Sequence, residues 1–259
     1  MTRIFSWNVN GIRACAGKGL FEWLEAESPD ILCLQETKAQ PEQLTKDFFS
    51  AGGGAYKTFW ASAKKKGYSG TAIYCKKEPR SISFLGVSEY DDEGRTLVAD
   101  FGSFVLISAY FPNSQDGGAR LDYKLEFCDT VLKRCDKLVK EGRHVVVTGD
   151  FNIAHKPIDL ANPKANEGNP GYLPEERAWM DKYTSSGYVD TFRHFDKEPG
   201  RYTWWTVRVK TARENNIGWR LDYFCVDQGL MAKVKASSIH PGVLGSDHCP
   251  VSLDLDLKI

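Results

Sequence analysis

The sequence predicts an α/β fold in which two mixed β-sheets pack against each other with helices on the outside. Short apolar runs of strand length recur along the chain and alternate with only a few amphipathic segments of helical length. The runs at 96–101 and 104–110 are separated by Gly102-Ser103, which is typical of a hairpin within a mixed sheet. With 259 residues and 42% hydrophobic content, the chain can bury a sizeable core, and we expect residues 1–259 to form a single domain.

The first third of the chain is expected to contain strands on both sides of a helix. An apolar run predicts a strand at 4–9, and the continuous apolar run at 30–34 predicts a strand that is covered on both faces. Between them, an apolar stripe predicts a helix over 17–27, which Pro29 ends. Polar side chains follow both strands: Asn8 and Asn10 at the first, Glu36 and Lys38 at the second. Two further strands are expected at 58–61 and 71–75.

Three consecutive lysines, Lys64–Lys66, precede Tyr68 in a loop that also contains glycine. A run of this kind is usually a solvated surface. Lysines on a mobile loop also suit contacts with the phosphates of a nucleic-acid duplex. Both interpretations remain open from the sequence.

The middle of the chain combines the hairpin with a long helix. The second hairpin strand leads into Tyr110 and Asn113, a phenol and an amide. Apolar residues then alternate spacings of four and three and predict the buried stripe of an amphipathic helix: Leu121, Leu125, Cys128, Leu132, Cys135 and Val139. Residues 156–173 contain prolines and glycines without a regular pattern and predict a long loop, after which Pro174 suits the first turn of a helix.

The stretch 144–155 contains the clearest strand end. Val145–Val147 form a β-branched run too short for a helix, and Gly149 breaks it. Asp150 and Asn152 follow one residue apart. If strand geometry persists, both side chains leave on the same face, where they can bind a hard cation or orient a water molecule. In the simpler interpretation, Asp150 caps the turn and Asn152 tolerates its backbone conformation.

Aromatic residues are interleaved with cations in the last third of the chain. Trp204 and Trp205 are followed by Arg208, and an apolar strand is expected to begin at Gly218, with Trp219 and the charged Arg220 near its start. This mixture is suited to gripping an extrahelical nucleotide and its flanking phosphates, although Trp205 is also a candidate for the core.

The last predicted strand, at 251–257, alternates apolar and polar residues, which predicts one solvent-exposed face. Asp247 and His248 lie directly before it. A carboxylate and an imidazole therefore join the polar residues at strand ends.

Composition narrows the classes of partner and the cellular setting. Lysine plus arginine equals aspartate plus glutamate at 34 each, so any nucleic-acid surface must be a local patch. The seven scattered cysteines include no Cys-x-x-Cys pair and indicate reduced core thiols rather than disulfides or a zinc site. We expect no signal peptide, no membrane span and no membrane partner, and we expect a cytoplasmic monomer.

Polar residues accumulate at the predicted strand ends, and together they indicate a chemistry. They are Asn8, Glu36, Tyr110, Asn113, Asp150, Asn152, Asp222, Asp247 and His248. The chain has no serine–histidine nucleophile motif, no glycine-rich nucleotide loop and no thiolate site. If the strand ends share one rim, this set fits a magnesium-assisted attack of water on a phosphodiester, since Mg²⁺ prefers carboxylate and amide oxygens.

Five segments in order along the chain resemble the signature motifs of the exonuclease III-type AP endonucleases. They are Ser6–Gly11, Leu34–Lys38, Gly149–His155, Trp219–Phe224 and Ser246–Pro250. The resemblance implies a four-layer α/β sandwich of the endonuclease–exonuclease–phosphatase superfamily that acts on DNA at abasic sites. It also implies Mg²⁺ as cofactor, with Mn²⁺ as a substitute, and double-stranded DNA as partner.

The same resemblance implies a role for individual residues. Metal binding is implied for Asn8, Glu36, Asp150, Asn152, Asp247 and His248, with Glu36 as the main carboxylate. Catalytic roles are implied for Tyr110, Asp150, Asn152, Asp222 and His248, of which Asp150 and Asn152 hold the attacking water and His248 with Asp222 contacts the scissile phosphate. Substrate contacts are implied for Lys38, Asn113, Trp204, Arg208, Trp219 and Leu221. Asn10 departs from the aspartate that some relatives carry there.

Hydrolysis 5′ to an abasic site, which leaves a 3′-hydroxyl and a 5′-deoxyribose phosphate, is the function that these features favour. Some 3′→5′ exonuclease activity is expected beside it, and exonuclease as the main activity is an alternative. A phospholipid phosphodiesterase with the same metal site would need a membrane-facing apolar loop, which the sequence lacks. A DNA-binding scaffold without catalysis would have lost catalytic side chains, yet every matched position keeps one.

Overall fold

The computed structural model describes residues 1–259, and its strands form two six-stranded sheets. In spatial order, the first sheet contains β11 (Val234–Ile239), β12 (Val251–Leu255), β1 (Thr2–Asn8), β2 (Ile31–Gln35), β4 (Thr71–Cys75) and β3 (Lys57–Ala61). The second contains β5 (Ser81–Ser83), β6 (Thr96–Asp100), β7 (Val105–Tyr110), β8 (Val145–Asp150), β10 (Asp222–Asp227) and β9 (Tyr188–Asp190). Only the pairs β1–β2 and β7–β8 are parallel, so both sheets are mixed, as predicted.

Helices cover the outer face of each sheet. They are α1 (Ile12–Ala16), α2 (Leu20–Glu27), α3 (Ser88–Asp91), α4 (Leu121–Lys140) and α5 (Pro174–Ser185), whereas α6 (Thr191–Phe195) contacts β11 of the first sheet and β10 of the second. One core cluster joins α1 and α2 to the first sheet, a second joins α4 and α5 to the second sheet, and a third lies between the sheets. The predicted sandwich of two packed sheets with helices outside is therefore confirmed.

Strand alternation explains why the central strands are apolar on both faces. Val146 packs between the two sheets, whereas its neighbours Val145 and Val147 pack beneath α4 and α5. Ile4 and Phe5 divide in the same way between the inner and outer cores of the first sheet. Successive side chains of a strand point to opposite faces, so a strand in the middle of this sandwich must be apolar throughout.

Two helices differ from their sequence-based prediction. The helix expected at 17–27 begins later, as α2 at Leu20, because Gly19 before it has a φ of 98°, and the short helix α1 that precedes it at Ile12–Ala16 was not predicted. The stripe expected on α4 is also partly wrong: Val139 is 39% exposed, whereas Lys124 and Val131 are fully buried. Because α4 packs against α5 as well as the sheet, its buried face is turned toward that neighbour.

The C-terminal strands differ in two further respects. The strand expected to begin at Gly218 begins at Asp222, because Trp219 forms isolated bridges with Leu160 and Trp204 instead of joining the sheet. The polar face expected at 251–257 is covered only at Ser252, which is buried and hydrogen-bonds to the His240 ring at 2.8 Å, whereas Asp254 is partly exposed and Asp256 is exposed. None of the helices combines the length and the apolar character that crossing a bilayer demands.

Candidate active site

The two parallel strand pairs bring the predicted polar residues to one rim of the sandwich. Asn8 ends β1 and Glu36 follows β2, so both leave the first sheet at the same edge. On the second sheet, Asp150 pairs across the strands with both Tyr110 and Asp222. Because β10 runs antiparallel to β8, its first residue lies beside the last residue of β8. The predicted shared rim is therefore present.

Asn8 connects the rims of the two sheets. Its Nδ2 donates to Glu36 Oε1 at 2.8 Å and to Asp150 Oδ2 at 2.9 Å, although Asn8 and Asp150 are 142 residues apart in the chain. The Asn8 side chain is fully buried beneath the cavity described below. It thus holds two carboxylates from different sheets next to each other.

Asp150 and Asn152 lie together, but strand alternation is not the reason. Strand β8 ends at Asp150, and Asn152 has a φ of 51°, in the left-handed region. The turn allows the Asn152 backbone N–H to donate to Asp150 Oδ1 at 2.8 Å, while its side-chain amide donates to the Phe111 carbonyl at 2.9 Å. Asn113 Nδ2 donates in turn to Asn152 Oδ1 at 3.2 Å. The condition that strand geometry persists is therefore not met, and the local geometry is that of the simpler interpretation, in which Asp150 caps the turn and Asn152 adopts its left-handed backbone.

His248 and Asp222 form a buried hydrogen-bonded pair. His248 Nδ1 lies 2.8 Å from Asp222 Oδ2, and His248 Nε2 lies 3.8 Å from Asp150 Oδ2. Burial alone would lower the pKa of His248, but the charges of Asp222 and Asp150 outweigh it and raise that pKa. The geometry therefore favours an imidazolium whose Nε2–H points toward Asp150.

Glu36, Asp150 and His248 converge at the site; the two carboxylates are donors suited to a divalent cation, whereas the His248 imidazolium has no lone pair to offer one. One side-chain oxygen or nitrogen atom from each of these residues lies within 4.8 Å of those from the other two. Burial raises the pKa of Asp150, the charge of His248 opposes this rise, and the charges of Asp222 and Glu36 add to it, so the carboxylates repel one another. A cation between them would relieve this repulsion, and oxygen donors are those that Mg²⁺ prefers. The residues present thus fit a divalent metal ion.

Asp247 is linked to this set indirectly, through Lys38 and Asn10. The Lys38 ammonium lies 2.7 Å from Glu36 Oε2 and also donates to Asn10 Oδ1. Asn10 Nδ2 donates to Asp247 Oδ1 at 2.9 Å, and Trp204 Nε1 donates to Asp247 Oδ2 at 3.0 Å. Lys38 does not line the main cavity and borders a separate depression.

A cavity of about 520 Å³ opens above the rim. The residues singled out in the sequence that line it are Glu36, Tyr110, Asn113, Asp150, Asn152, Trp204, Arg208, Trp219, Leu221, Asp247 and His248. The rings of Trp204 and Trp219 meet at 89° with centroids 6.2 Å apart and form a corner of the wall. Arg208 is exposed at the mouth, whereas Trp205 is buried in the core, as its alternative interpretation held.

Several lining residues were not singled out in the sequence. Asn169, Pro170 and Gly171 come from the long irregular loop, and Thr206 and Val207 follow the tryptophan pair. Asp116 also lines the cavity. No periodicity or motif distinguishes these residues, because only the folding of the loops over the rim places them there.

Tyr110 presents its phenol to the carboxylates. Burial raises the pKa of the Tyr110 hydroxyl well above its ordinary value, and the charges of Glu36 and Asp150 add to this effect. The buried Arg95 guanidinium lies 5.1 Å from the centre of the Tyr110 ring and donates to the Tyr110 carbonyl at 3.1 Å. Tyr110 is thus a neutral hydrogen-bond donor at neutral pH.

Comparison with known proteins agrees with this geometry. The model of the Endonuclease/Exonuclease/phosphatase family matches residues 5–248. An exodeoxyribonuclease of Bacillus subtilis is 41% identical over 258 residues, covering 98% of this chain and 100% of the relative. A DNA-(apurinic or apyrimidinic site) endonuclease of Dictyostelium discoideum is 39% identical over 260 residues, covering 99% of this chain and 71% of the relative.

Solved structures show the same architecture. An AP endonuclease from Archaeoglobus fulgidus superposes with a TM-score of 0.86 at 28% identity, covering 99% of this chain and 100% of that one. The AP endonuclease of Leishmania major superposes with a TM-score of 0.85 at 31% identity, covering 97% and 86% of the two chains. The family match, the relatives and the carboxylate–imidazole rim agree, and this chain belongs to the endonuclease/exonuclease/phosphatase family.

Proposed function

We propose that residues 1–259 form a single-domain, metal-dependent DNA-repair phosphodiesterase that cuts the backbone 5′ to abasic sites. The products are a 3′-hydroxyl and a 5′-deoxyribose phosphate, and some 3′→5′ exonuclease activity accompanies the cut. The observation that carries this proposal is the convergence of Glu36, Asp150 and His248 within 4.8 Å beside a cavity walled by Trp204 and Trp219. The names of the relatives, exodeoxyribonuclease and AP endonuclease, support the same chemistry.

Hydrolysis at this rim requires a nucleophilic water, a phosphate held in place and a proton for the leaving oxygen. Asp150 accepts the proton of the attacking water, which Asn152 orients, so that a bond forms from the water oxygen to phosphorus. The bond from phosphorus to the 3′-oxygen breaks, and that oxygen takes a proton from solvent water to become the 3′-hydroxyl. His248, kept charged by Asp222, donates to a phosphate oxygen.

Other rim residues complete these roles. Tyr110 and Asn113 donate hydrogen bonds on the phosphate side. Glu36 would be the main metal ligand, with Asn8, Asp150, Asn152 and Asp247 as the remaining candidates for binding the ion. His248 would join them only as a neutral imidazole, a form that its pairing with Asp222 disfavours. Bound Mg²⁺, for which Mn²⁺ can substitute, would offset the charge that develops on the scissile phosphate. Lys38 forms an ion pair with Glu36 and a hydrogen bond with Asn10. Arg208 lies at the mouth of the cavity, where the duplex would pass.

The shape of the cavity wall would favour an abasic nucleotide over an intact one. Trp204, Trp219 and Leu221 surround a space that suits a sugar turned out of the duplex. A base attached to that sugar would collide with the indole rings, whereas a baseless sugar would not. Turning out a nucleotide that has no base to unstack also costs less free energy.

The seven buried free cysteines suit a reducing, intracellular setting, and we place the protein in the cytoplasm as a monomer. Its partner is double-stranded DNA that contains abasic sites.

A gel assay tests the proposal. End-labelled duplex with one tetrahydrofuran abasic analogue is compared with intact duplex, in Mg²⁺ or in chelator. We expect one Mg²⁺-dependent cut beside the lesion, which must be hydrolytic because this analogue cannot undergo β-elimination. Glu36→Gln and Asp150→Asn should each lower the rate by at least about 100-fold. Asp129→Asn, a carboxylate on the outer helix α4, should leave it unchanged.

Exonuclease as the main activity is the second candidate, because the relative from Bacillus subtilis is named exodeoxyribonuclease. In the same gel, that activity would appear as a ladder receding from the 3′ ends of both duplexes. If neither duplex were cut, the proposed function would be wrong.

A further inference from the structure

We infer that the buried ion pair Lys124–Glu176 positions Asn152 and Asn113 at the active site, and that it acts on the reaction rather than on overall stability. Neither residue lines the cavity, so both are positioning residues. This inference rests on the proposed function for the meaning of its activity measurement. The hydrogen-exchange measurement that also tests it does not depend on that function.

The Lys124 ammonium has two partners in the protein interior. Lys124 belongs to α4 and Glu176 to α5, and both side chains are 0% exposed. The ammonium donates to Glu176 Oε1 at 2.6 Å and to the backbone carbonyl of Asn152 at 2.6 Å. The cation therefore spans from the helical layer to the turn that carries Asn152.

The Asn152 turn needs such support because its backbone is left-handed. A φ of 51° is less favourable for a residue with a side chain than the common helical or extended conformations. The carbonyl of Asn152 points into the protein, where an unpaired acceptor would be costly. Lys124 satisfies that carbonyl, while the Asn152 N–H and side-chain amide are held by Asp150 and Phe111. Every polar group of Asn152 is thus tied to a partner.

Glu176 connects the ion pair to the loop that carries Asn113 and Ser114. Its Oε1 also accepts from Ser114 Oγ at 2.8 Å, and its Oε2 accepts from the Leu173 backbone N–H at 2.9 Å. Ser114 follows Asn113, whose side chain donates to Asn152 Oδ1 at 3.2 Å. One buried pair therefore fixes two loops that meet at the cavity.

A role in stability alone does not explain this pair. Removing an ammonium and a carboxylate from water is costly, and apolar pairs of similar volume are often as stable or more stable. Lys124 is also the fourth residue of α4, close to the helix N-terminus, where a positive charge is disfavoured. What an apolar pair could not supply is a donor for the Asn152 carbonyl and an acceptor for Ser114.

Two variants separate positioning from stability. Lys124→Met removes the cation but leaves the Glu176 carboxylate buried and unpaired. Lys124→Met combined with Glu176→Gln removes both charges at similar volume, so it should recover much of the fall in melting temperature. It should not recover activity, because the Asn152 carbonyl still lacks its donor. Val131→Ala, a fully buried residue of the same helix, serves as a control for simple destabilisation.

Asp129→Asn serves as the second control. Asp129 also links α4 to α5, through Lys182 at 2.7 Å, but it lies on the partly exposed part of that contact and does not touch Asn152. The controls thus remove a core side chain and a cross-helix ion pair without changing the turn.

The primary measurement is the single-turnover incision rate on the abasic duplex, together with the dissociation constant for that duplex. Both Lys124 variants should lose roughly 10- to 100-fold in rate, since a small misplacement of a positioning group has effects of this size, with an unchanged dissociation constant. In an Asn152→Ala background, Lys124→Met should cost little further, because the effect passes through Asn152.

Hydrogen exchange of segment 151–155 provides a readout that does not depend on activity. It should accelerate in both Lys124 variants and stay unchanged in Val131→Ala and Asp129→Asn.

The inference is overturned if the rate follows the melting temperature across all variants, if the double variant recovers the rate, or if the two substitutions are additive with Asn152→Ala. Unchanged exchange in segment 151–155 would overturn it independently. If the wild-type protein cut no DNA at all, the proposed function would fail, while the exchange experiment would still decide whether Lys124 holds the turn.

Discussion

Arg220 offers a quantitative test of how much a buried charge network contributes to this fold. Its guanidinium is 0% exposed and lies 2.8 Å from Asp159 Oδ1 and 2.7 Å from Asp190 Oδ2. Arg220→Met keeps the aliphatic volume but removes the charge, leaving Asp190 without its guanidinium partner and Asp159 with only Arg193. Removing one partner of a buried pair costs about 3–5 kcal/mol, because the remaining charge is desolvated without compensation.

Thermal unfolding followed by circular dichroism or calorimetry measures this loss. For a chain of this length, a loss of 3–5 kcal/mol corresponds to a fall in melting temperature of about 6–10 °C. Arg201→Met is the matched control, because Arg201 pairs with Asp196 at a similar 3.0 Å while its side chain is 52% exposed. That exposed pair should contribute no more than about 1 kcal/mol. Equal effects of the two substitutions would refute the reasoning from burial.

The difference in stability between wild type and Arg220→Met should change with pH in a definite direction. Burial raises the pKa of Asp159, but the charges of Arg220 and Arg193 outweigh it and lower that pKa below its ordinary value. The resulting stability is present above the ordinary pKa of about 3.9 and is lost as pH falls through the lower folded-state pKa. The difference between wild type and Arg220→Met should therefore narrow as pH falls below about 4. A difference that widened there would contradict this assignment.

Three other outcomes follow from the structure. Gly149→Ala should abolish the cooperative folding transition or lower the melting temperature severely. The reason is that a Cβ at position 149 would lie 1.8 Å from the Ala109 carbonyl oxygen, and the φ of Gly149 is 139°. A stable variant would show that strands β7 and β8 can separate. All seven buried cysteines should resist a thiol reagent in the folded protein and react once it is unfolded in denaturant; fast labelling of the native protein would contradict their burial. Replacing Lys64–Lys66 by alanine should lower the slope of duplex affinity against salt by about one unit for each phosphate that these lysines neutralise, and an unchanged slope would leave them as solvated surface.

Much of the sandwich could be predicted from local patterns. The β-branched run Val145–Val147, the hairpin at Gly102-Ser103 and the helix that begins at Pro174 are all present in the structure. These features depend on side-chain period, backbone conformational preference and turn residues, which act over a few neighbouring positions. Polar residues at strand ends could likewise be assigned to one rim, because strand direction decides which end of a strand faces which edge.

Contacts between distant segments could not be predicted in this way. The buried face of α4 was assigned from its own apolar residues, yet Lys124 is buried because α5 supplies Glu176 and the Asn152 turn supplies a carbonyl. The sequence predicts Arg220 as a charge near the start of an apolar strand, but its partners Asp159 and Asp190 lie 61 and 30 residues away. No local pattern specifies such partners.

The sequence by itself determined the class of chemistry, since carboxylates, amides, a phenol and an imidazole stand at the ends of apolar strands within recognisable motifs. Tertiary structure alone decided how these groups face one another. Asn8 bridges Glu36 and Asp150 only because the two sheets pack face to face, and Asn152 reaches Asp150 only through a left-handed turn. Side-chain identity is local, whereas distance and burial depend on the packing of the whole chain, and they govern the electrostatics of the site.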